Sequence, residues 1–171
     1  MDFTLDVPAD ELAAALDSWT WIGLGDKTPL FASLFGDVFL EDTQGCWYLS
    51  QVEGTLTCAW PDRAALMAAL ETEAGQDEYL LAGLVIAARR AGVTLDPGQV
   101  YDFVPPPILG GAIGVESLQP MSFVVSVHIG GQLHDQVRHL EPGTPITGLR
   151  FEDPPTSPRR RRFARRRRPS G

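Results

Sequence analysis

Residues 30–60 constrain the fold most. Four short runs, Leu30–Leu34, Asp37–Glu41, Cys46–Gln51 and Thr55–Trp60, are rich in leucine and aromatics. The turns between them are Phe35-Gly36, Asp42-Thr43-Gln44-Gly45 and Val52-Glu53-Gly54. A glycine closing such a loop suits a left-handed backbone position, so the stretch reads as consecutive antiparallel hairpins. In the third run Trp47 and Leu49 share one face, expected to be the core face, and Tyr48 and Ser50 share the other.

Helical periodicity flanks this block. Leu12, Leu16 and Trp19 form one stripe of a helix expected over about 8–17, with Asp6 as its cap and Pro8 in its first turn. Pro61-Asp62 opens a second helix over about 62–71. A third is expected over about 76–91, where Tyr79, Leu80, Leu84 and Ala87 recur, and Gly92 closes it. Gln99–Val104 alternates as a strand, and Pro105, Pro106 and Pro107 then require a sheet edge or a surface corner. Met121–Ile129 also alternates, with Phe123, Val125, Val127 and Ile129 on one face, and predicts a strand ended by Gly130-Gly131. Residues 132–140 predict a short helix, and 145–151 a last strand. The order is α+β, an antiparallel sheet of short hairpins packed with three to four helices. Residues 1–151 read as a single domain. Residues 152–171, made largely of Pro, Ser, Thr and Arg, read as a disordered tail.

Charge also divides the chain, a few residues further on. The net charge of −8 over 171 residues conceals RRRRFARRRR at 159–168, which holds eight of the 14 Lys and Arg. Residues 1–158 therefore carry six basic against 22 acidic side chains, a formal −16. That body repels nucleic acid and attracts basic partners, so nucleic acid is a partner only through Arg159–Arg168, where Phe163 offers a base to stack on. No apolar run reaches the length of a membrane span, and the acidic N-terminus lacks the pattern of a secretory signal, so the expected address is the cytoplasm. Cys46 and Cys58 are expected to be free, buried thiols.

Little in the chain points to catalysis. His128, His134 and His139 lack metal-ligand spacing, because residues five apart do not share a helix face. His134 and Asp135, adjacent in sequence, point about 100° apart and do not orient one another. There is no nucleophile elbow, P-loop or dinucleotide fingerprint. No cofactor and no metal are expected. Acidic pairs at Glu41-Asp42 and Asp77-Glu78 offer anionic surface, and Trp21, Tyr48 and Trp60 are candidate aromatic anchors for a protein partner.

Four motifs carry a family resemblance. They are GDVFLED with GCWYL and EGTL at 36–56, GQDEYLLAGL at 75–84, PGQVYDFVPPPILGG at 97–111 and GGQLHDQV at 130–137. Together, over a core of about 36–141, they resemble the DUF1851 domain, the C-terminal domain of Tdi1-type immunity proteins of the type VI secretion system. The resemblance implies a cytoplasmic bacterial protein, not an enzyme, that binds and neutralises a cognate toxin, a DNase in the immunity proteins. An acidic inhibitor suits a basic nuclease cleft. Glu41, Asp42, Asp77, Glu78, Gln132 and His134 are the candidate partner-binding residues. Gln132 and His134 match motif positions and are read as makers of local hydrogen bonds, and Tyr101 and Phe103 as packing. Three rival readings are a nucleic-acid-associated protein acting through the Arg tail, an enzyme using His134 with an acidic partner, and a DUF1851-like domain of unrelated role.

Overall fold

In the computed structural model, which describes residues 2–141 and 143–156, the hairpin stretch forms a central five-stranded antiparallel sheet. Its strands are β1 (Thr4–Leu5), β2 (Thr28–Ser33), β3 (Val38–Asp42), β4 (Gly45–Ser50) and β5 (Thr55–Trp60), in that spatial order. The four expected runs match β2 to β5. β1 has only two residues, too few to show a period.

The alternation of β3 and β4 feeds two layers of helix. Val38, Leu40 and Leu49 pack with Leu12 and Leu16 of α1 (Ala9–Leu16), with Trp19, and with Phe123 and Val127 of α5 (Phe123–Val137). Trp47 packs against the same cluster, as its parity with Leu49 requires. On the opposite face Phe39, Cys46 and Trp60 pack against Leu66 and Leu70 of α2 (Arg63–Leu70) and Leu80 of α3 (Glu73–Leu80). A third cluster joins Leu34 and Phe35 to Val85 and Ala88 of α4 (Ala82–Arg90) and to Tyr101 and Phe103 of β6 (Gln99–Phe103). β6 pairs antiparallel with β7 (Leu118–Ser122). The class is α+β, with five helices among the described residues.

Several expectations are corrected. Met121–Ile129 is not a strand. β7 ends at Ser122, and α5 runs from Phe123 through Gly130 and Gly131 to Val137. Phe123, Val127 and Gly131 also recur at i, i+4 and i+8, so the segment satisfies both periods, and packing selects the helical one. A Cβ on Gly131 would lie 2.2 Å from Ser18 Oγ and 2.8 Å from Trp19 Cδ1. The missing side chain lets α5 approach the 3-10 turn Asp17–Ile22, where the Trp19 indole N–H donates to Val127 O at 2.8 Å.

The helix expected over 76–91 is two helices, divided at Leu81 with φ +49°. The Asp77 carboxylate accepts from Gly83 N at 3.0 Å and so caps the second half. Asp6 does not cap α1, whose cap position is Pro8 without a side-chain bond. Residues 145–151 form no regular strand. Cys58 is exposed and only Cys46 is buried; both are free. Residues 152–156 carry no regular structure, and the remainder of the expected disordered tail, from 157, lies outside the described residues.

Replacing Gly131 by Ala separates the two periods by sign. Helix propensity alone favours Ala by about 1 kcal/mol. The contact with Ser18 and Trp19 instead predicts a net loss of about 1–3 kcal/mol in urea unfolding.

Candidate partner-binding cleft

On the face covered by α2 and α3, the sheet opens beyond Tyr79 into a cleft of about 320 Å³. Tyr48 stands opposite Thr57 and Ser50 opposite Thr55, so the register sets four hydroxyl groups on one surface. Glu78 and Tyr79 from the end of α3 form the facing wall, with Glu53 from the β4–β5 turn. Ile113, 61% exposed, also lines it. The two tyrosine rings meet edge to face, centroids 5.3 Å apart at 85°, and the Tyr48 hydroxyl reaches Tyr79 O at 3.5 Å.

Asp37 also lines this cleft and is 1% exposed. Its carboxylate accepts from Ser33 Oγ at 2.8 Å and from Gln51 N at 2.9 Å. Burial pushes its pKa up to about 6, although these bonds pull the other way. Burial first, and then the charge of Asp37, hold the Tyr48 phenol protonated well above its usual range. Burial and a hydrogen bond with Glu78 likewise raise Tyr79.

The six residues singled out from sequence lie on three parts of the fold. Glu41 and Asp42 end β3, where Glu41 accepts from Arg63 and Asp42 pairs with Lys27 at 3.3 Å. Asp77 and Glu78 lie on α3. Asp77 caps α4, and Glu78 alone of the six lines the cleft. Gln132 and His134 lie on α5, and their hydrogen bonds are not local but reach 20 and 83 residues along the chain. Gln132 exchanges two bonds with the backbone of Glu152, at 2.8 and 2.7 Å, and Gln136 does the same with Arg150, at 2.7 and 3.0 Å.

His134 is buried against Trp19, ring centroids 5.6 Å apart. Its Nε2 donates to Gln51 O at 2.8 Å, which fixes the tautomer. Burial lowers its pKa, against the pull of the Gln51 carbonyl. Asp135 turns outward to Arg138 at 2.8 Å and does not orient the imidazole. A Cβ on Gly54 would lie 2.2 Å from His134 Nδ1, which accounts for glycine in that turn. Among the described residues no group of three His, Cys, Asp or Glu side chains is placed to hold a metal ion.

Of the three candidate aromatic anchors, Tyr48 lines the cleft, Trp60 is buried beneath Tyr79 at 4.8 Å between centroids, and Trp21 lies half-buried under Arg138 at 4.8 Å. Asp37, Glu53 and Tyr79 were missed. The available signal was parity, because Asp37 shares a strand face with Phe39 and hence with Tyr48 across the ladder.

The raised Asp37 pKa carries a stability signature. A carboxyl whose native pKa lies above its unfolded value costs stability once it ionises, and that cost is relieved as pH falls from about 6 to 4. Between pH 4 and 7 the stability of Asp37→Asn relative to the parent chain should move by about 2–3 kcal/mol in favour of Asn, read by urea unfolding at each pH.

No curated protein matches the chain. Residues 62–134, from the Asp62 cap of α2 to His134 in α5, match the family model described as T6SS immunity protein Tdi1, C-terminal, the family that the sequence motifs resemble.

Proposed function

We propose that this chain binds and neutralises a cognate toxin of a type VI secretion system, in the cytoplasm and without turnover, and that the toxin presents a basic, nuclease-like surface. The family match over 62–134 carries the reading. A body with six basic against 22 acidic residues supports it, since such a field speeds encounter with a cationic partner and repels nucleic acid. The cleft supports a protein partner, because it sets tyrosines and carboxylates together on an accessible face. Glu78 and Glu53 contact the toxin there, and Glu41 and Asp42 add to the field that steers it. The unit that acts is residues 1–151.

A second reading rests on Arg159–Arg168, eight arginines around Phe163 outside the described residues, which suit a phosphate backbone. Deleting 159–171 distinguishes the two. Protection against the toxin persists under the first reading, and retention on DNA or RNA disappears under the second.

Co-expression with the toxin encoded beside this chain tests the proposal. Cells are expected to survive with the chain and to die without it, and survival in both cases removes the immunity reading. In purified components the association rate should fall about tenfold or more from 0.05 to 0.5 M salt, measured by stopped flow. A rate that ignores salt would leave binding intact and remove its electrostatic steering.

A further inference from the structure

We propose that the cleft beside β5 receives an arginine side chain of the protein partner, its guanidinium held by Glu53 and Glu78 against the Tyr48–Tyr79 pair, with Asp37 beneath. The proposal rests on the toxin-binding reading for the partner's identity, but the chemistry of the cleft stands on its own geometry.

Three carboxylates line the cleft, and no Lys, Arg or His does so among the described residues. Buried carboxylates are ordinarily paired with a cation or a metal. Asp37 is buried, yet its bonds come from neutral groups, the Ser33 hydroxyl, the Gln51 amide and the Tyr48 phenol. A cation entering the cleft supplies the missing counter-charge. The edge-to-face tyrosines offer it a ring surface, and Ser50, Thr55 and Thr57 offer further acceptors.

Guanidinium fits this set better than ammonium. It is planar, stacks on aromatic rings and donates in a fork that spans two carboxylates, whereas a lysine acts as a strongly hydrated point charge. A volume of about 320 Å³ accommodates one long side chain.

The test titrates the full chain with the peptides Gly-Arg-Gly, Gly-Lys-Gly and Gly-citrulline-Gly, following the Tyr48 and Tyr79 ring signals by aromatic ¹³C NMR. The arginine peptide should move both rings to saturation, the lysine peptide should bind about fivefold or more weakly, and citrulline, which keeps the shape without the charge, should move neither. Glu53→Gln combined with Glu78→Gln, both exposed positions, should weaken arginine binding about tenfold. Silent rings, an equal response to citrulline, or an unaffected double variant would overturn the proposal. A response that appears only after deletion of 159–171 would assign the cleft to this chain's own arginines and overturn the partner assignment.

The co-expression assay keeps the two ideas apart. A parent chain that protects and a double variant that protects equally would remove the cleft while leaving immunity standing. A double variant that loses protection while remaining folded by circular dichroism supports the cleft. A parent chain that fails to protect removes the immunity reading and leaves the peptide titration to judge the cleft.

Discussion

Gln51, at the end of β4, joins the layers of this protein. Its backbone N–H donates to Asp37, its carbonyl accepts from His134, and its side-chain amide donates to Ser126 Oγ at 2.8 Å. One buried residue thus links the turn before β3, the end of β4 and two points on α5 that lie about two turns apart. A Cβ on Gly36 would lie 2.2 Å from Gln51 Oε1, so the turn that starts β3 gives up its side chain to make room. Each of these bonds contributes about 1 kcal/mol when made, and a buried partner left alone costs up to about 3. Two of the three bonds belong to the backbone and survive any substitution, so an apolar residue here would cost the side-chain bond and leave the Ser126 hydroxyl without this donor.

The same residue connects the packing to the cleft. Asp37 stays buried because Ser33 and Gln51 hydrogen-bond its oxygens, and it lines the cleft because, one residue before β3, it keeps the parity of Phe39 toward the face that α2 and α3 cover only in part. α3 stops at Leu80, where Leu81 turns left-handed, and that stop leaves Glu78 and Tyr79 at the opening. The division of one expected helix into α3 and α4 is therefore what makes room for the site. Asp77, whose carboxylate caps α4 across the break, holds the division in place.

Much of the site was legible as chemistry and little of it as position. Acidic pairs and Tyr48 stood out as candidates from residue type alone. Residue type does not distinguish a carboxylate that caps a helix, as Asp77 does, from its neighbour Glu78, which faces the cleft; that depends on where a helix ends. Gln132 and His134 lay within a family motif, and their bonds show why those residue types suit the positions. One fastens Glu152 and the other fastens Gln51, contacts made across 20 and 83 residues that no local pattern announces.

Local pattern determined the four central strands, their antiparallel order and the helices α1 and α2, because turn glycines and hydrophobic periods act within a few residues of where they are read. The chain's asymmetry of charge was also visible without a fold. Only tertiary structure decided that 123–137 is a helix. A short apolar run with β-branched residues satisfies both periods, and the choice fell to Trp19, 108 residues away from the Val127 carbonyl it binds. The pair Gly130-Gly131, which locally signals a break, serves instead as the groove into which that distant segment packs, because contact with a buried indole outweighs the modest helix-breaking cost of two glycines.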